Sequence, residues 1–104
     1  MNITKQIDRI SSMEAALDAS RAAVGQLSEA TVALVDAMDA IQALSEYYGS
    51  QEWYQDRKAD EQGRLPEGLA RGVLSEDLPY DVLVDAREAA LGAIEAATAT
   101  LRVL

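Results

Sequence analysis

Apolar residues recur every three to four positions through the first 48 residues. A heptad places Ile3, Ile10, Leu17, Val24, Thr31, Met38 and Ser45 at position a. Position d is then Gln6, Met13, Ser20, Leu27, Leu34, Ile41 and Tyr48. Alanines 16, 23, 30 and 37, then Leu44, fill position g. Such a stripe predicts one long amphipathic, coiled-coil-like helix over 1–48, roughly 70 Å long at 1.5 Å per residue. Gly25 costs about 1 kcal/mol against alanine, but the pattern crosses it without a change of phase. The rival reading breaks the helix near Gly25 and caps a second one at Ser28. Gly49 stands where a left-handed C-terminal cap belongs.

The same period returns near the other end. Leu83, Ala86, Ala90, Ile94, Ala97, Leu101 and Leu104 share one face, which predicts a helix from about 75 to 104. Ser75 is a favourable N-cap, and Glu76 and Asp77 follow where negative charge suits the helix dipole. Pro79 would be the fourth helical residue, close enough to the start to be tolerated.

Between these blocks the breakers concentrate. Gly49, Gly63, Pro66, Gly68, Gly72 and Pro79 all lie between 49 and 79. Ser50 can cap a short helix over about 51–62 that Gly63 ends. Pro66 suits the first turn of another, ended by Gly72. The expected fold is all-α, in a single helical domain, 1–104. A long helix (1–48) and a C-terminal helix (75–104) form an antiparallel hairpin, joined by an irregular segment (49–74) with short helices.

The two arms differ in length. The first would overhang the second by roughly 25–30 Å and expose Ile3, Ile7, Ile10, Met13 and Leu17. A second copy is the natural cover for such a stripe, so a homodimer through the N-terminal helix is expected. The alternative is a bent first helix that folds its own N-terminus over the core.

Composition then narrows the chemistry. The 104 residues hold 9 basic and 18 acidic side chains, a net charge of −9, with no His, no Cys and no Phe. The absence of Cys excludes disulfides, thiolate zinc sites and a cysteine nucleophile, and the absence of His removes the commonest general base. Nucleic-acid binding is not expected from so acidic a chain. Residues 1–48 and 75–104 each carry −4 and the segment 49–74 only −1, with Arg57, Lys58, Arg64 and Arg71 among its residues. The acidity of the first helix also disfavours a membrane surface, and no run is long enough to span a bilayer. No apolar leader segment follows the first residues, so the expected location is the cytoplasm.

The most unusual local feature is aromatic. Tyr47, Tyr48, Trp53 and Tyr54 crowd into Tyr47–Tyr54, and Tyr80, the fifth aromatic residue, opens the last helix. All five are expected to meet where the hairpin turns. One reading is a small core, with Trp53 and two tyrosines plugging the open end of the helix pair. The other is a patch for a protein partner, made by Tyr47, Tyr48, Trp53, Tyr54, Arg57, Arg64 and Arg71. Exposure of Trp53 and Tyr54 favours the patch, and burial of both leaves only a structural role.

The run from Tyr47 to Tyr80 resembles the signature of a bacterial family of uncharacterised proteins, domain of unknown function 4298. Its first piece is matched by Tyr47, Tyr48, Gly49, Ser50, Glu52 and Trp53. Asp60, Gly63, Leu65 and Pro66 match the second, and the run Arg71 to Asp77 matches the third. The likeness covers about a third of the chain closely and departs at Pro79 and in the Ala-rich helices. It implies an all-helical protein and supplies no activity, cofactor or ligand to carry over.

Catalytic constellations are weak. An EF-hand count from Asp56 fails at Lys58 and Glu61, where an oxygen ligand and a glycine are needed. Asp36 with Asp39, and Asp85 with Glu88, are each spaced i, i+3 and would meet in an antiparallel hairpin. That is the arrangement of a Mg²⁺-dependent hydrolase of nucleotide-like substrates, but all four lie off the apolar stripes. No serine stands in a nucleophile elbow, and no phosphate loop is present. The expected role is a non-catalytic helical protein–protein interaction module without a cofactor. The small carboxylate-dependent hydrolase is the alternative.

Overall fold

The computed structural model describes residues 3–104, and the first two positions of the expected long helix lie outside them. The described chain is all-α: helix α1 (Ile3–Tyr47), helix α2 (Gln51–Glu61), a 3-10 turn (Gly72–Leu74) and helix α3 (Asp77–Arg102). Helix α1 passes through Gly25 without interruption, as its unbroken heptad phase requires.

Two compact units divide the chain, one up to Met38 and the other Asp39–Leu104. The described part of the first is α1 as far as Met38. None of its described residues is buried, and Gln6 and Ala37 are the only ones of them that are even half-covered. The hydroxyls of Ser20 and Thr31 donate to the carbonyls of Ala16 and Leu27, one turn back (2.7 and 2.8 Å).

The second unit is held by capping and by a small core. Gly49 follows the end of α1 with φ +78°, a backbone conformation that costs a Cβ-bearing residue strain. Ser50 is extended, and its Oγ accepts the Trp53 N–H (3.2 Å), which caps α2 as expected. At the far end Gly63 takes φ +68°. There the Arg64 N–H reaches the Ala59 carbonyl and the Gly63 N–H the Asp60 carbonyl, both at 3.0 Å. This is the paired 6→1 and 5→2 closure of a Schellman motif.

The helix expected from Pro66 to Gly72 does not form. Residues 64–71 run as turns and bends, with one backbone–backbone bond among them, from the Leu69 N–H to the Pro66 carbonyl (3.2 Å). Gly68 and Gly72 leave too few residues between them for a helical nucleus to grow. Gly72 opens the 3-10 turn instead of closing a helix. A Cβ on it would stand 3.3 Å from Leu78 Cδ1, so glycine there allows α3 to come close.

Ser75 then does two jobs. Its Oγ donates to the Gly72 carbonyl (3.0 Å) and accepts the Leu78 N–H (3.1 Å), so it closes the 3-10 turn and caps α3 together. Pro79 is buried in the first turns of α3. Leu44 of α1, Gly72, Val73, Leu78, Pro79 and Val82 line a shallow apolar groove of about 220 Å³. Leu83, Val84 and Ala86 are half-buried, whereas α3 is exposed from Arg87 onward, including Ala90, Ile94, Ala97 and Leu101 of its apolar face. Among the described residues, no helix is long and apolar enough to cross a membrane.

Ser75→Ala removes both of these bonds. It is expected to destabilise the protein by about 1–2 kcal/mol in chemical denaturation, and Ser75→Asp, which can still cap, by less.

Candidate functional site

The aromatic segment folds into a knot around Trp53. Trp53 is on α2, and its capping geometry points the indole back at the end of α1 and across to the 3-10 turn. It is 3% exposed. Its Nε1–H donates to the Val73 carbonyl (2.9 Å), so the ring's polar edge is satisfied where it is buried. Tyr48 tilts against it at 4.8 Å between centroids, and Tyr54 meets it edge-on at 5.0 Å. The Arg57 guanidinium lies 4.7 Å over its face. Leu74, 8% exposed, completes the core.

Polar contacts tie the rim. The Tyr48 hydroxyl donates to the Glu76 carbonyl (3.1 Å), which joins the end of α1 to the start of α3. Arg57 also pairs with the Glu76 carboxylate at 3.2 Å. Arg71 pairs with Asp60 at 2.7 Å, and both side chains are half-buried. The Tyr47 hydroxyl donates to Asp56. Burial, then the hydrogen bond and the negative charge of Asp56, then Glu52, push the Tyr47 phenol up to about 12.

Each residue of the sequence-derived patch thus has a place. Trp53, Tyr48 and Arg57 stack together; Tyr47 and Arg71 are held by Asp56 and Asp60. Tyr54 keeps contact with Trp53 yet is 60% exposed. Arg64 is exposed and forms no ion pair with any described residue. Tyr80 does not join the cluster: it is 55% exposed and makes no ring contact among the described residues. It sits in the first turn of α3, next to the buried Pro79.

Sequence reasoning did not assign Asp56, Asp60, Val73 and Glu76 to this site. Asp60, Val73 and Glu76 do stand in the signature words, and the structure gives the reason: those words touch one another. The first meets the third through Trp53 and Val73 and through Tyr48 and Glu76, and the second meets the third through Asp60 and Arg71.

The carboxylates Asp36, Asp39, Asp85 and Glu88 are all exposed. Among the described residues no three acidic side chains gather into a group able to hold a metal ion. The knot offers aromatic stacking and fixed ion pairs.

A family model described as "Domain of unknown function (DUF4298)" matches residues 10–96, most of the chain. No curated protein and no solved structure matches it.

Trp53→Ala empties the core and orphans the Val73 carbonyl. The expected loss is about 3–5 kcal/mol in chemical denaturation. A loss near zero contradicts the core assignment. Tyr47 gives a pH test. Its folded phenol titrates above the ordinary value of 10, so its contribution to stability is complete below pH 10 and vanishes as the pH climbs through about 12. In a tyrosinate absorbance titration, Tyr47→Phe is expected to remove a phenol that ionises at about pH 12.

Proposed function

Since the chain belongs to the DUF4298 family, whose description names no activity, we propose on physical grounds that it is a non-catalytic helical protein–protein interaction module. We place its main contact surface on α1 and its first partner in a second copy of the chain. One observation supports this above all: α1 up to Met38 buries nothing. Its large apolar side chains on the heptad stripe, from Ile3 and Ile10 to Leu34 and Met38, are between 44% and 64% exposed. Helices in water draw most of their stability from burying an apolar face, and a helix with none buried lacks that support. Each such side chain gains about 1.5–3 kcal/mol when removed from water, so a seam of this size strongly favours a cover.

The knot around Trp53 serves this module as a brace. Most of its arginines and aromatic rings are engaged within the chain, and Tyr54, Arg64 and Tyr80 are what it leaves for a further protein. The lack of any cysteine suits a reducing compartment, and the cytoplasm is the proposed setting.

Light scattering at micromolar concentration is expected to return twice the 11.2 kDa mass of one chain. A mass of 11.2 kDa at that concentration contradicts the reading.

A further inference from the structure

The seam on α1 also carries information about how a second copy would lie on it. The inference below rests on the dimer reading above and adds direction and register to it.

Charge is unevenly spread along α1. Its three basic residues, Lys5, Arg9 and Arg21, all precede Gly25, whereas the charged residues after Gly25 are Glu29, Asp36, Asp39 and Glu46. A parallel pair would lay this wholly acidic stretch against its own copy. An antiparallel pair separates the two acidic stretches.

The heptad then sets the register. In antiparallel coiled coils an a residue of one helix faces a d residue of the other. The alignment in which paired residue numbers sum to 37 satisfies this from Ile3 to Leu34. Ile3 meets Leu34, Ile10 meets Leu27, and Met13 meets Val24 of the second copy. On one edge Ala16 meets Ala23, small enough for the backbones to approach. On the other edge Glu14 comes opposite Arg21, twice by symmetry. In the single chain both are exposed, and neither forms an ion pair with any described residue.

The polar seam residues fit as well. Ser20 and Thr31 already donate to their own helix, so closing the seam over them orphans no hydroxyl. A parallel pair could join Arg9 to Glu14. It would also stack Gln6 on Gln6 and Thr31 on Thr31, whereas the antiparallel alignment merges these into shared Gln6–Thr31 layers.

We infer that two copies of α1 pair antiparallel over residues 3–34, with Ile10 of each opposite Leu27 of the other and Glu14 of each opposite Arg21 of the other. Spin labels on two outward positions test the direction. The chain has no cysteine, so Ala19→Cys and Asp8→Cys each introduce a single labelling site. In the antiparallel pair the two copies of position 19 lie at nearly the same level. The two copies of position 8 stand about 30 Å apart along the axis, from 1.5 Å per residue. A short distance for position 19 and a long one for position 8 is the expected result. Short distances for both positions mean a parallel pair and overturn the inference while leaving the dimer standing. A monomeric mass in the same samples overturns the dimer reading and this inference together.

Charge reversal tests the register. Arg21→Glu is expected to raise the dissociation constant several-fold, and adding Glu14→Arg to restore it. Equal weakening in the single and double variants overturns the pairing of Glu14 with Arg21. Circular dichroism at high concentration shows that each variant keeps its helices.

Discussion

Trp53 receives Tyr48, Tyr54 and Arg57 around its ring and hands its N–H to the Val73 carbonyl, so one side chain joins the end of α1, helix α2 and the 3-10 turn. The second unit has little else in its interior, with Leu74 and Pro79 the other buried residues. Its caps are arranged around that ring. Ser50 both starts α2 and sets the direction in which Trp53 leaves the backbone. Ser75 closes the turn that supplies the Val73 carbonyl and starts α3. Glu76 receives a tyrosine hydroxyl on its backbone and an arginine on its side chain. Each cap is a local bond of modest strength, and the indole gives these bonds a common geometry.

This explains the density of signature residues between Tyr47 and Tyr80. Loops without regular hydrogen bonding keep one conformation only when specific side chains fix them. Here Asp60 holds Arg71 across the turns of 64–71, and the glycines at 49 and 63 supply the left-handed backbone at the two ends of α2's setting. The signature thus describes a scaffold, and a shared scaffold does not by itself specify a shared ligand.

The features legible in the sequence were the local ones. The heptad phase carried α1 through Gly25, and serine caps at 50 and 75 with glycine at 63 set the helix ends, because those bonds span only three to five residues. The turn run at 64–71 was misread as a helix because proline and glycine punctuation marks boundaries without saying what lies between them. Within the candidate site, the clustering of Tyr47, Tyr48, Trp53 and Tyr54 was legible. Which ring would be buried was not, since that depends on Val73 and Leu74, some twenty residues away. Tyr80 was grouped with the cluster on sequence proximity to a helix start, but its turn of α3 presents it to solvent. The ion pairs of Arg57 and Arg71 were hidden for the same reason: their partners are set by the fold of the segment.

The physical contrast between the two units is the account's centre. One unit secures itself with a small, fully satisfied core, and the other is a helix with its apolar seam exposed, which the proposed dimer would cover. Amide hydrogen exchange followed across a dilution series reads both at once. The account predicts that amides around Trp53 and Leu74 exchange at a rate independent of concentration, and that those from about residue 7 to 34 lose protection as the protein is diluted. Protection of α1 that stays constant across the series, down to concentrations where the chain is a monomer, would contradict it.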